Sequence, residues 1–238
     1  MKYMIILGDG MADEPLPELN GKTPLQAANK PHIDALAKSG RCGRLDTIPA
    51  GMHPGSEIAN LSVLGYDVPT VFEGRGVLEA ASMGVQLEPG DLAMRCNLIT
   101  LEGENIKNHS AGHITSEEAF ELIRFLDKKM GNSAIRFYPG VSYRHLLVIK
   151  GGSKNMNCTP PHDVAGKPFR NHLCLPSDLS DGLENSLENY SSSNKTSALL
   201  NYMILRSRYL LSDHPVNQQR RAEGKDPANC SSARPRNR

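Results

Sequence analysis

"YMIILGDG", residues 3–10, is the stretch on which the fold turns: five apolar residues, Tyr3 to Leu7, run unbroken into Gly8, Asp9 and Gly10. A short continuous apolar run closed by glycine is the pattern of a strand buried on both faces in a parallel sheet. The expectation is a first core strand of an α/β fold, and not a secretory leader. A polar loop leads into "TPLQAANKPHIDALAKSG", residues 23–40. Thr23 is placed to cap a helix, Pro24 to take its first position and Gln26 to complete a capping box. Pro31 breaks or restarts the helix and Gly40 ends it.

Next, "RCGRLDTIPAGMHPG" (41–55) reads as a strand running into a Pro/Gly-rich loop. Ser56 then opens a helix with Ile58, Leu61 and Leu64 on roughly one face. Strand, helix, strand, loop, helix is the opening rhythm of a doubly wound fold. Such sheets bind ligands at the carboxyl ends of their strands, where "GDG" and "HPGS" both fall.

From about Glu73 the texture changes to frequent turns and one alternating stretch, "MRCNLITL" (94–101), which predicts antiparallel sheet. A helix follows in "TSEEAFELIRFLDKKMG" (115–131), with Thr115 and Glu118 as a capping box, Phe120, Ile123 and Leu126 inward, and Gly131 as the stop. "AIRFY" (134–138) and "HLLVI" (145–149) flank "PGVSYR" and predict a hairpin. An inserted α+β subdomain over 73–170 is therefore expected, after a first core segment at 1–72. Residues 171–229 are read as a linker and a helical segment. Within them, "LSDGLENSLENYSSSNKTS" (179–197) is the linker, and "SALLNYMILRSRYLL" carries Leu199, Met203 and Leu210 at helical spacing.

The chain's 238 residues, 39% hydrophobic, are enough to bury a core. Lys and Arg number 27 against 26 Asp and Glu, so the overall charge points to neither a nucleic-acid nor a membrane partner, and any anionic ligand must be met by a local cluster. The five cysteines, Cys42, Cys96, Cys158, Cys174 and Cys230, are odd in number and include no C-x-x-C pair. They read as reduced thiols of a cytoplasmic protein, neither a disulfide framework nor a zinc knuckle.

Ser56 at a helix start lies near unpaired backbone N–H groups and the positive end of the helix dipole, where a phosphate is stabilised. Serine is also a common N-cap, and both readings stand. Asp9, ending a buried strand, would need solvent, a partner or a cation. A divalent metal held by Asp9 and bound by the Ser56 oxygen would favour its alkoxide, a nucleophile toward phosphorus.

These features, in order, carry a resemblance. Asp9-Gly10 after the first strand, "TPLQAANKPHIDALAKSG", "PGSEIANLSVLGYD" and "GRGVLEA" closely resemble the cofactor-independent phosphoglycerate mutases of the archaeal type, in the alkaline phosphatase superfamily. The resemblance continues through "GDLAMRCNLIT", "SAGHITSEEA", "YRHLLVI", "PPHDVAGKP" and "HPVNQQRRAEGKDPAN", to Asn229. It implies an alkaline-phosphatase-like doubly wound sheet, here incomplete, with the smaller subdomain gripping the glycerate. It also implies two divalent metal ions, typically manganese, with Asp9 as a ligand and Ser56 as both ligand and nucleophile. The substrate would be a small phosphorylated acid, 3-phosphoglycerate or 2-phosphoglycerate. Arg75, Arg95 and Arg144 fall within matching motifs and suit carboxylate or phosphate. His113 and His162 suit acid/base work or phosphate contact, and Asn60, one turn after Ser56, suits the phosphate. Each has a structural alternative as a surface or capping residue. The resemblance leaves room for a homo-oligomer.

The family's later D-x-x-x-H-like and D-H-like metal motifs are not found after residue 176, and Asp213-His214 belongs to a different motif. Beyond Asn229 the sequence runs "CSSARPRNR", and the chain has no Trp where the family continues through one. The expectation is a frameshift or truncation, a disordered tail at 230–238, weak metal binding and little catalysis by this chain. The competing readings are a homoserine-kinase-like phosphotransferase on the same scaffold and a non-catalytic fragment that binds a partner or a phosphorylated ligand.

Overall fold

The computed structural model describes residues 2–176 and 186–234, with 186–191 and 234 described by backbone alone. Two compact units divide at residue 46, Met1–Asp46 and Thr47–Arg238. In the first, α1 (Pro24–Ala27) has the expected capping box: Thr23 accepts from the Gln26 amide and Gln26 accepts from the Thr23 amide. Pro31 restarts the chain as α2 (Pro31–Ser39), and the Gly40 amide closes it on the Leu36 carbonyl.

The two core strands expected here do not form. Tyr3–Leu7 and 41–46 are irregular and exposed, with Tyr3 87% and Ile6 82% accessible. A parallel strand is stabilised by pairing with a neighbouring strand and by helices covering both faces of the sheet. No strand pairs with these residues in the described structure.

The second unit opens with three helices, α3 (Ser56–Val63), α4 (Val68–Val71) and α5 (Arg75–Ser82). Ile58 is buried as expected, but Leu64 is exposed. The sheet follows. Strand β1 (Asp91–Glu102) pairs antiparallel with β2 (Asn105–Asn108), then α6 (Ser116–Met130) crosses to the predicted hairpin, β3 (Ile135–Val141) and β4 (Arg144–Lys150). Strand β4 lies along β1, with Asp91 opposite Lys150 and Asn97 opposite Arg144. A small ribbon joins β5 (Met156–Asn157) to β6 (Leu175–Pro176), after which come α7 (Ser186–Ser212), α8 (Pro215–Ala222) and β7 (Cys230–Arg234).

Alternation along β1 sends Leu92, Met94, Cys96 and Leu98 to one face, against α6 and α7, and Ala93 to the other, against α5. Helix α6 keeps its capping box and its Gly131 stop. Its buried stripe is Ala119, Leu122, Ile123 and Leu126, each side chain worth about 1.5–3 kcal/mol if as large as Leu or Ile. Phe120, expected inward, is instead 46% exposed, one position off the stripe.

Two further expectations are corrected. The linker at 179–197 is helical from Ser186, its earlier residues lying outside the described chain. The packed segment around Leu200 and Met203 propagates helix toward the N-terminus, and Thr196 returns its hydroxyl to the Ser192 carbonyl. Of the tail expected to be disordered over 230–238, Cys230–Arg234 is a strand on the edge of β1 opposite β4, and residues 235–238 lie outside the described chain. Main-chain pairing needs no apolar run. Ser231 bonds the Ser207 hydroxyl on α7 through its amide and its own hydroxyl, while Cys230 and Ala233 enter the core.

The stretch "HPVNQQRRAEGKDPAN" proves to be scaffolding. Arg220, 2% exposed, reaches Glu118, the Ala111 carbonyl and the Asp226 carbonyl, tying α8 to the start of α6. Asn217 brackets Ala228 through both its amide and its carbonyl. His214 caps α8 and lies edge-on to Phe125. Among the described residues no helix is long and apolar enough to cross a membrane.

Candidate active site

Helix α3 begins at Ser56 itself, with Gly55 at the capping position and no side-chain cap. The Ser56 hydroxyl is therefore not spent on capping, and the residue is exposed beside the helix's first amides. It lines a cleft of about 330 Å³ together with Glu57, Arg75, Leu78, Glu79, Ser82 and Arg95. Helix α5 supplies four of these at positions 75, 78, 79 and 82, one face at helical spacing. Its opposite face, Gly76 and Ala80, is buried toward the sheet.

The glycines of "GRG" explain how Arg75 arrives there. Gly74 precedes the helix at φ +121, a conformation that side chains rarely adopt. Gly76 packs so closely on β1 that a Cβ would stand 2.1 Å from the Ala93 carbonyl oxygen.

Both arginines are held by carboxylates. Arg75 donates from Nε and Nη2 to the two oxygens of Glu57 at 2.8 and 2.7 Å, a fork on a fork. Arg95 donates from Nε at 3.1 Å and from Nη2 to Glu79 Oε1. In each case the ion pair uses the Nε–Nη2 edge of the guanidinium, and Nη1 takes no part in it. Burial pushes the Glu57 carboxyl up, but bonding to Arg75 and the nearby positive charge outweigh it, and the net shift is downward. Two arginines against two glutamates make the cleft nearly neutral, so the cleft offers oriented donors and no surplus of positive charge.

Glu57 and Glu79 were not singled out in the sequence. Their signal lay in spacing: Glu57 directly follows Ser56, and Glu79 is four residues beyond Arg75 on one helix.

The structure thus brings Ser56, Arg75 and Arg95 together, and leaves other candidates apart. Asn60 is exposed on α3 and does not line the cleft. Arg144 begins β4, with its guanidinium 5.4 Å from the Tyr143 ring centroid. By register it shares Arg95's face of the sheet, opposite Asn97. His113 is an exposed turn residue at φ +54 between β2 and α6. His162 is also outside the cleft, 3.3 Å from Asp163.

Asp9 is an exposed turn residue of the first unit. Among the described residues no group of three His, Cys, Asp or Glu side chains could hold a metal ion. Asp9 and Ser56 supply two oxygen donors, whereas a divalent centre takes four or more ligands. The described residues by themselves do not make up the metal centre that the resemblance implies.

A profile of the 2,3-bisphosphoglycerate-independent phosphoglycerate mutases matches residues 37–217. The chain belongs to this family. It is 47% identical over 230 residues to the phosphoglycerate mutase of Methanosarcina barkeri, covering 96% of this chain and 53% of that protein. A probable phosphoglycerate mutase of Geobacter sulfurreducens is 46% identical over 233 residues, covering 96% and 54%. Among solved structures, the cofactor-independent phosphoglycerate mutase of Thermoplasma acidophilum superposes with a TM-score of 0.59 at 31% identity, covering 95% of this chain and 57% of that one. The chain spans about half the length of the curated relatives it matches. The mixed α/β class agrees with these mutase structures.

Proposed function

We propose that this chain carries the nucleophile and part of the substrate grip of a phosphoglycerate mutase that interconverts 3-phosphoglycerate and 2-phosphoglycerate. The observation that carries the reading is the uncapped Ser56 hydroxyl sharing one cleft with Arg75 and Arg95. The Ser56 oxygen forms a bond to phosphorus as the P–O bond to the glycerate breaks, and the serine proton passes to the departing glycerate oxygen. The reverse step delivers the phosphoryl group to the other hydroxyl. Phosphoryl transfer depends mainly on positioning and charge stabilisation, which suits a site built of two pre-oriented arginines.

The span 73–170 supplies both arginines and is the substrate-gripping subdomain in this reading, with Arg144 the next cation along the sheet face.

Incubation with 3-phosphoglycerate followed by phosphopeptide mapping tests the nucleophile. We expect label on the peptide containing Ser56, below stoichiometric level, and none in Ser56→Ala. Label on any other residue, or undiminished label in Ser56→Ala, would overturn the assignment.

A further inference from the structure

Cys158 follows β5 directly and Cys174 precedes β6 directly. The ribbon pairs Met156 with Pro176 and Asn157 with Leu175, so the next rung sets Cys158 opposite Cys174. Their Sγ atoms are 2.7 Å apart, where a covalent S–S bond is about 2.05 Å. The position is rigid: Asn201 on α7 accepts from the Cys174 amide at 2.8 Å and donates to its carbonyl at 2.9 Å.

We propose that Cys158 and Cys174 form a reversible redox modification site, oxidised by small disulfides of the glutathione class to a cross-strand disulfide that staples the segment between them. Cys158 is partly buried and is the more accessible of the two, whereas Cys174 is 2% exposed. The Cys158 thiolate attacks one sulfur of the small disulfide, forming a mixed disulfide and releasing one thiol. Cys174 then attacks the Cys158 sulfur and releases the second thiol. In balance, two protein thiols lose two protons and two electrons, and one small disulfide becomes two thiols.

Accessibility and pairing separate this site from the other buried cysteines: Cys96 and Cys230 are closed to solvent at 1% and 0% exposure. Cys42 is exposed and lies in the first unit. The Cys174 thiol beside it, and then its own burial, push the Cys158 thiol up, so the pair rests as thiols and it is their juxtaposition that favours closure to the disulfide. The stapled segment holds two short 3-10 turns, Pro161–Val164 and Phe169–His172, already tied to β2 by amide bonds from Gly166 and Ile106. Closing it covalently removes freedom from the unfolded chain, so the oxidised protein should melt several degrees higher.

The test is to treat the reduced full chain with glutathione disulfide, alkylate under denaturing conditions, and map peptides without reduction. We expect Cys158 and Cys174 to be recovered linked to each other and Cys96 and Cys230 alkylated, with dithiothreitol reversing both the link and the rise in Tm. In Cys174→Ser, Cys158 should be trapped as a mixed disulfide with glutathione. Recovery of wild-type Cys158 glutathionylated beside an alkylated Cys174, or of both alkylated while Cys42 is glutathionylated, would overturn the proposal.

Discussion

His145, on β4, shows how a single side chain sets a property of the whole protein. It is 2% exposed, its Nδ1 accepts the Gly140 amide at 3.0 Å, and its Nε2 is buried without a partner. Burial pushes its pKa down from 6.5 to about 3, so the folded protein keeps it neutral where the unfolded chain would take up a proton. The associated stability is therefore fully present above about pH 6.5 and lost as pH falls toward 3, by up to about 1.4 kcal/mol per unit. His145→Asn, which retains an acceptor at the Nδ1 position, should flatten the unfolding free energy across that window; an unchanged slope would assign the acid sensitivity to other groups. That Ser56 opens a helix was legible in the sequence, because the Pro/Gly-rich loop before it and the apolar spacing after it are local signals. That Arg75 and Arg95 each lean on a glutamate was not legible, since 18 and 16 residues separate the partners: Arg75 on α5 meets Glu57 on α3, and Arg95 on β1 meets Glu79 on α5.

At the scale of elements, local signals performed well wherever the element closes its own hydrogen bonds. Both capping boxes, the Pro31 restart, the Gly131 stop and the β3–β4 hairpin form as their residues predict. Interfaces between elements are less local, and Gly76 is the sharpest case. Because its missing Cβ would meet main chain of β1, which cannot rotate away, Gly76→Ala should force α5 outward. The expected cost is about 1–3 kcal/mol, read as a lower urea midpoint. Arg75 would move with the helix, so phosphoglycerate binding measured calorimetrically on the still-folded variant should weaken. A variant with wild-type midpoint and affinity would show that α5 tolerates a side chain there.

For the molecule as a whole, the two units differ in what they bury. No described residue of 2–46 is buried, whereas β1 and β4 form the centre of the core in Thr47–Arg238. Hydrogen exchange should accordingly be fast over residues 3–7 and 41–46 and slow over β1 and β4, where both main-chain pairing and burial protect the amides. Equal protection of residues 3–7 and β1 would contradict this division. The sequence by itself determined the family, the capped helices, the antiparallel hairpin and the serine at a helix start, because motif order and short-range hydrogen bonding are written along the chain. Only the tertiary structure decided that Tyr3–Leu7 stays exposed, that the polar 230–234 becomes a buried-edge strand, and that Cys158 meets Cys174. Each of these depends on whether a partner strand is present across the gap, and no local pattern encodes that.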